Sequence, residues 1–336
     1  MTAEPTGTWA GPATGPPTGP PTGTALPDGT RVPRFAGPAT FTRVPTIDAV
    51  QTYDLAVLGL PFDGGTSYRP GARFGPMAVR QASRHLRPGF HVELDRVPYA
   101  HASVVDAGDV PCTPFGIEEA IAQMEGLARD VVGTDGSRRL VGIGGDHTVA
   151  LPMLRAAHAA HGPVALVHFD AHLDTWDAYF GSRVTHGTVF RRAFEEGLLA
   201  PDRSVHLGIR GPLYDRGDLA ADTAAGFRAV RTHEIDLVGP VAALELVRER
   251  VGDAPVYVSV DIDVLDPAFA PGTGTPEMGG LTSRELLRLL RGLGDLHLVG
   301  GDVVEVAPAY DHAEITALAG ATVAFELLAL MAGAGR

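Results

Sequence analysis

Ala165-Leu-Val-His-Phe-Asp170-Ala-His172-Leu-Asp174 opens as an apolar strand and ends in acids and imidazoles at every second residue. Successive side chains of an extended chain point to opposite faces, so Asp170, His172 and Asp174 are expected to project together from one face. Three ligand-type side chains at the carboxyl end of a buried strand are costly without a cation, because clustered carboxylates repel one another. A strand end whose polar groups only cap neighbouring helices is the alternative, and this run alone leaves it open.

The surrounding pattern supplies the context. Short apolar runs at Asp54–Leu60, Ser103–Asp106, Arg139–Ile143, Val164–Asp170, Ser204–Ile209, Val256–Asp261 and His297–Val304 read as strands. Between them, helices are expected at Pro76–His85, Ile117–Val132, Val149–His161, Val189–Glu196, Val241–Val251 and Ser283–Gly292, with a last one from about His312 to Met331. Continuous apolar strands separated by helices imply an α/β fold, with a parallel sheet covered on both faces. Ligands of such sheets bind outside the carboxyl ends of the strands.

Two more strand ends carry unusual residues. Arg139–Ile143 runs into Gly144-Gly145-Asp146-His147-Thr148, where the glycines permit a tight turn and Thr148 can start the next helix. Val256–Asp261 continues into Ile262 and Asp263, again with carboxylates two apart. Each has a plain reading, a loop histidine in one case and turn chemistry in the other. Three ligand-rich strand ends converging on one crevice favour metal.

His147, His172 and the aspartates 170, 174, 261 and 263 bring four negative charges, which two divalent cations neutralise. Oxygen-rich donors with one imidazole per ion suit Mn²⁺ better than zinc. Two such ions about 3.5–4 Å apart share a water and lower its pKa. Asp170 and Asp261 are the candidates to bridge them. His186, in Thr185-His186-Gly187-Thr188, is free to pass a proton to a leaving amine, against the alternative of a buried structural histidine. Glu277, in the Gly-rich Gly272–Gly280 loop, can pair bidentately with a planar guanidinium, against the alternative of a helix cap.

Composition narrows the partners. At 336 residues, 45% hydrophobic and 20% charged, the chain has the balance of a globular enzyme. A formal net charge of -13 argues against nucleic acid and anionic membranes. Cys112 is the single cysteine, so neither an internal disulfide nor a thiolate zinc cluster is expected. No apolar run is expected to span a bilayer, and no signal peptide is read at the N-terminus, so the expected compartment is the cytoplasm. Residues 1–30 form a Pro/Gly/Thr-rich tract expected to be a disordered tail, and residues 31–336 a single catalytic domain.

Together these motifs resemble the ureohydrolases, the arginase and agmatinase family. The resemblance rests on Gly-Gly-Asp-His147, Asp170-Ala-His172-Leu-Asp174, His186-Gly-Thr188, Ser259-Val-Asp261-Ile-Asp263 and Pro271-Gly-Thr-Gly-Thr-Pro-Glu277. Pro61–Pro76 and Asp302–Pro308 belong to the same pattern. It implies a three-layer α/β/α sandwich with a mostly parallel central sheet, two Mn²⁺ ions and release of urea from a guanidine. It also implies that His147, Asp170, Asp174 and Asp261 hold one ion and Asp170, His172, Asp261 and Asp263 the other. Asp174 would steady the attacking hydroxide, Glu277 orient the guanidinium and His186 protonate the leaving amine. Asp302 and Glu305 are expected to serve as buried hydrogen-bonding groups. A homo-oligomer, trimer or hexamer, is expected.

The subgroup resembles the agmatinases, with guanidinobutyrases and proclavaminate amidinohydrolase as alternatives and a non-catalytic guanidine-binding scaffold as a remote one. Asp177, with Trp176, Tyr179 and Phe180, can hold an ammonium tail, whereas Arg183 can clamp a carboxylate. On that balance agmatine, hydrolysed to putrescine and urea, is the expected substrate and 4-guanidinobutyrate the alternative.

Overall fold

Leu55 and Val57 face one layer of the core and Ala56, Leu58 and Leu60 the other, so β1 (Leu55–Leu60) is buried at every position. A strand achieves this only where both faces of its sheet are covered. The protein is described from a computed structural model covering residues 23, 24 and 26–333. The other strands are β2 (Val104–Asp109), β3 (Arg139–Gly144), β4 (Ala165–Phe169), β5 (Ser204–Ile209), β6 (Phe227–Arg231), β7 (Val256–Asp261) and β8 (Leu298–Val304). All pair in parallel, in the order β2-β1-β3-β8-β7-β4-β5-β6.

The helices are α1 (Gly75–Ser83), α2 (Ile117–Val132), α3 (Ala150–His161), α4 (Val189–Glu195), α5 (Gly217–Ala224), α6 (Thr232–Val251), α7 (Ser283–Arg291) and α8 (Ile315–Gly333). One face of the sheet is covered by α1, α6, α7 and α8, the other by α2, α3 and α4. The result is the expected three-layer α/β/α sandwich. The carboxyl ends of β3, β8, β7 and β4 lie side by side, and the ligand-rich segments follow three of these four strands.

Some elements differ from the expectation. β6 was not expected: it is an edge strand whose second and last residues are exposed, so it lacks a continuous apolar run. Helix α5 buries only Asp222 and offers no apolar stripe to read. Gly239, at φ 79°, and Pro240 kink α6, and only the part after the kink matched the helical pattern. Most of the expected tail, residues 1–30, lies outside the described residues. Thr24, within it, donates from its hydroxyl to the Val104 carbonyl (3.2 Å).

A further correction concerns α8. Its 19 residues, with a mean hydropathy of 1.9, are long and apolar enough to cross a membrane, contrary to the expectation that no run is. Here it packs against α1, α7 and β8, and most of it is buried. Leu327 is wholly buried in this helix and Leu318 is 37% exposed. Leu327→Ala is therefore expected to cost about 2–5 kcal/mol, read as a shift in the urea midpoint. Leu318→Ala should cost much less, and equal losses would show that α8 is not packed as a core helix.

Candidate metal centre

Backbone crowding sets the first ligand. A Cβ on Gly145 would lie 2.1 Å from the Phe62 carbonyl oxygen, so only glycine lets the chain turn there after β3. Asp146 caps the following turn, with Oδ1 accepting from Thr148 N (3.0 Å) and Oδ2 from Gly65 N (2.6 Å). That turn delivers His147, which is fully buried.

The period-two account of the second segment needs correction. β4 stops at Phe169, and Asp170, His172 and Asp174 lie in the loop beyond it. Asp174 sits at φ 55°, a left-handed conformation rare for a non-glycine residue. A turn, and not one extended face, brings these side chains together. Its bonds include His172 N donating to Asp170 Oδ1 (2.6 Å) and Ala171 N donating to Asp263 Oδ1 (3.1 Å). Asp261 likewise ends β7 and caps a short turn, accepting from Asp263 N (2.8 Å).

Two subsites result. His147 Nδ1 faces Asp174 Oδ2 at 2.9 Å, Asp170 Oδ2 at 3.2 Å and Asp261 Oδ2 at 3.3 Å. His172 Nδ1 faces Asp263 Oδ2 at 3.1 Å and Asp170 Oδ1 at 3.2 Å. Asp170 therefore turns one oxygen to each subsite.

The hydrogen bonds behind His147 test whether cations fit. Tyr257 OH and Ser259 Oγ donate to the two oxygens of Asp302, each at 2.6 Å. Ser259 Oγ thus has a lone pair for His147 Nε2–H at 2.9 Å. In the neutral ring that tautomer leaves Nδ1 as a lone pair, and this buried atom makes no hydrogen bond among the described residues. Burial opposes a charge, but Asp170, Asp174 and Asp261 outweigh it and hold the imidazole well above its usual range, so a proton takes the cation's place in the metal-free ring. A lone pair aimed at three carboxylate oxygens is repulsive by itself and is a coordination sphere once a cation lies between them. Burial, then the charges of Asp263 and Asp170, hold the Asp261 carboxyl well above its usual range. Burial and Asp170 push Asp263 up to about 6. The residues fit two divalent cations.

His168 also approaches the first subsite. Its Nε2 lies 2.8 Å from Asp170 Oδ2 and its Nδ1 lies 2.6 Å from His206 Nδ1, so both nitrogens are already engaged.

A cavity of about 440 Å³ opens over the ligands. His172, Asp174 and Asp261 form part of its wall, with His186, Glu277, Arg69 and the rings of Trp176, Tyr179 and Tyr214. His186 Nδ1 lies 3.0 Å from Glu305 Oε1, which also accepts from His147 N (3.0 Å). Its Nε2 lies 2.7 Å from Ser67 Oγ, which can accept its proton. Burial opposes a charge on His186, but Glu305, Asp174 and Asp146 outweigh it and raise the imidazole to about 9. Gly211, at φ 74°, makes room for Glu277: a Cβ there would lie 2.8 Å from the Glu277 carboxyl carbon.

Asp177 and Arg183 are not brought into this cavity. Their side chains are 63% and 61% exposed, with Asp177 held by Arg192 (2.8 Å) and Arg183 by Glu195 (2.8 Å). Paired backbone bonds between Tyr179 and Ser182 fold the loop back. Trp176 and Tyr179 are thereby turned inward, while Phe180 stays 82% exposed. Arg69 and His168 were not picked out as site residues in the sequence. Arg69 lies within the Pro61–Pro76 motif, and His168 shares the parity of Asp170, which was the available signal.

Residues 53–330 match the model of the arginase family. A guanidinopropionase from Pseudomonas aeruginosa is 48% identical over 91% of this chain and 95% of its own length. A putative agmatinase from Schizosaccharomyces pombe is 45% identical over 88% of this chain and 83% of its own. The solved structure of proclavaminate amidinohydrolase from Streptomyces clavuligerus superposes with a TM-score of 0.84 at 45% identity, covering 90% of this chain and all of that one.

Because Asp170 faces both subsites, Asp170→Asn is expected to remove metal retention and turnover together. Metal analysis of the purified variant beside a urea-release assay checks this, and full metal content with full activity would overturn the assignment.

Proposed function

The chain belongs to the arginase family and is a hydrolase of C–N bonds in linear amidines; from that premise we propose that it releases urea from a linear guanidino acid. The observation that carries this reading is the charge layout of the cavity. Glu277 presents a carboxylate with no hydrogen-bond partner among the described residues. Arg69 is the one arginine or lysine on the wall, and no carboxylate of the described residues pairs with it. Its guanidinium rests 5.2 Å from the Tyr310 ring centroid and 5.8 Å from that of Tyr68. A substrate with a guanidinium at one end and a carboxylate at the other satisfies both groups by paired, charge-assisted hydrogen bonds.

The donor set, four carboxylates and two imidazoles, supports manganese as the pair of ions. When bound, the ions supply an acidified water and positive charge for the developing anion. Glu277 orients the planar guanidinium. Asp174 directs Oδ2 to the His147 subsite, leaving its other oxygen to accept a hydrogen bond from the attacking water. His186, steadied at Nδ1 by Glu305, delivers a proton to the substrate nitrogen as its bond to the guanidinium carbon breaks. The water becomes the urea oxygen, and an amino acid leaves.

A second reading, agmatine, is favoured by the aromatic wall. Trp176 stacks on Tyr179 at 5.0 Å and lies 5.5 Å from Tyr214, a surface able to hold an ammonium tail by cation–π contact. Asp177, which argued for agmatine in the sequence, lies outside the cavity and no longer supports it.

A urea-release panel with manganese, comparing 3-guanidinopropionate, 4-guanidinobutyrate, agmatine and arginine, separates the readings. Arg69→Met is expected to raise KM for the guanidino acids about tenfold or more with kcat little changed, the mark of lost uniform binding. Wild-type preference for agmatine, unaffected by Arg69→Met, would establish the second reading. His186→Ala is expected to keep its manganese while turnover falls about 10²–10⁴-fold. Unchanged turnover would end its role as proton donor.

A further inference from the structure

A chain of buried polar groups runs from the metal centre into the protein on the side away from Glu305. His168 on β4 and His206 on β5 are register partners in adjacent strands. Both are wholly buried, and their Nδ1 atoms lie 2.6 Å apart. His168 Nε2 reaches Asp170 Oδ2 at 2.8 Å, and His206 Nε2 reaches Asp222 Oδ1 at 3.1 Å. Asp222 Oδ1 also accepts from Thr175 Oγ1 (2.9 Å), the residue after the ligand Asp174.

Donor and acceptor counting fixes the direction of this chain. Two bare nitrogens at that separation repel, so one proton lies between the Nδ1 atoms. His168 must donate from Nε2, because the alternative turns a lone pair on the Asp170 carboxylate. A neutral His168 then accepts at Nδ1, and His206 Nδ1 is the donor. Apolar rings seal the chain: Phe190 lies 4.4 Å from His168, and Phe227 stacks on His206 at 4.7 Å.

We propose that His206 and Asp222 are positioning residues for the metal centre, holding through His168 the orientation in which Asp170 serves both subsites. The inference rests on the two-ion reading of the cluster. His168 pins Asp170 Oδ2, the backbone of His172 pins Oδ1, and rotation of the carboxylate would break both bonds. Asp222 is 1% exposed on α5, and among the described residues its Oδ2 makes no hydrogen bond and its partners are His206 and Thr175. No arginine or lysine compensates this buried carboxylate among the described residues. Its contacts serve the segment that carries Asp170 and Asp174.

The test is a manganese titration of metal-free protein, with the bound ions followed by electron paramagnetic resonance. Wild type is expected to take two ions per chain and show a spin-coupled pair. His206→Phe keeps an aromatic ring on Phe227 but loses the donor to His168, and Asp222→Leu unties the far end. Each is expected to bind manganese about 10- to 100-fold more weakly, with the coupled signal giving way to that of separate ions. His206→Gln, whose amide can donate to His168, should recover most of the affinity, which a purely volumetric role would not explain. Should His206→Phe fail to fold, Asp222→Leu and His206→Gln carry the comparison. Wild type that does not bind two ions defeats the two-ion reading beneath the proposal. Wild type that does, with both breaking variants matching it in affinity and signal, defeats the relay alone.

Discussion

Asp170, Asp174, Asp261 and Asp263 are each more than nine-tenths buried, within one crevice. Charge removed from water at that density is strongly unfavourable unless countercharge or directed hydrogen bonds meet it. The surroundings answer this constraint on every side. Backbone amides of His172, Ala171 and Asp263 donate to three of these carboxylates, and imidazoles face their remaining oxygens. Histidine nitrogens and carboxylates left pointing at one another leave a deficit of positive charge that divalent cations would fill.

The supporting groups act by orienting the imidazoles of His147 and His186. Tyr257, Ser259 and Asp302 do this for His147, and Glu305 orients both the His147 backbone and the His186 ring. Glu305 holds this position at φ 64°, an unfavourable backbone angle that the surrounding bonds compensate. Such groups position the ligands without touching the ions, and their removal commonly weakens binding as much as ligand distortion does. The metal centre therefore extends into β7, β8 and β5.

Much of this was legible in the sequence. Ligand types cluster after apolar strands, and a parallel sheet sends those strand ends to one edge, so the crevice follows from pattern alone. The local geometry was not legible, because alternation describes strands and these ligands sit in turns. Asp177 and Arg183 were misplaced for a related reason. Being bracketed by Asp174 and His186 constrains the ends of a loop but not which of its side chains turn inward. Arg69 was hidden in a Gly- and Pro-rich motif whose backbone role drew attention from its charge. The relay was hidden because His206 and Asp222 meet His168 only through strand pairing and the unpredicted helix α5. β6 and α5, both amphipathic or polar at a sheet edge, carry too little apolar signal to read.

The position of β8 has a consequence for synthesis. It lies between β3 and β7, so the sheet consists of a block β2-β1-β3 and a block β7-β4-β5-β6 joined only through the last strand. His147 follows one block and the other five candidate ligands follow the second. A nascent chain complete through α7 already contains all six, yet has no strand with which to bring the blocks into register. Pairing across such sequence distances is slow, because a long loop must close before any contact rewards it. Vectorial folding thus assembles two half-sheets first and the whole crevice only after β8 emerges. The complete crevice is thus a late product of folding, and the apolar α8, which leaves the ribosome later still, must find its place against β8 before it finds another chain.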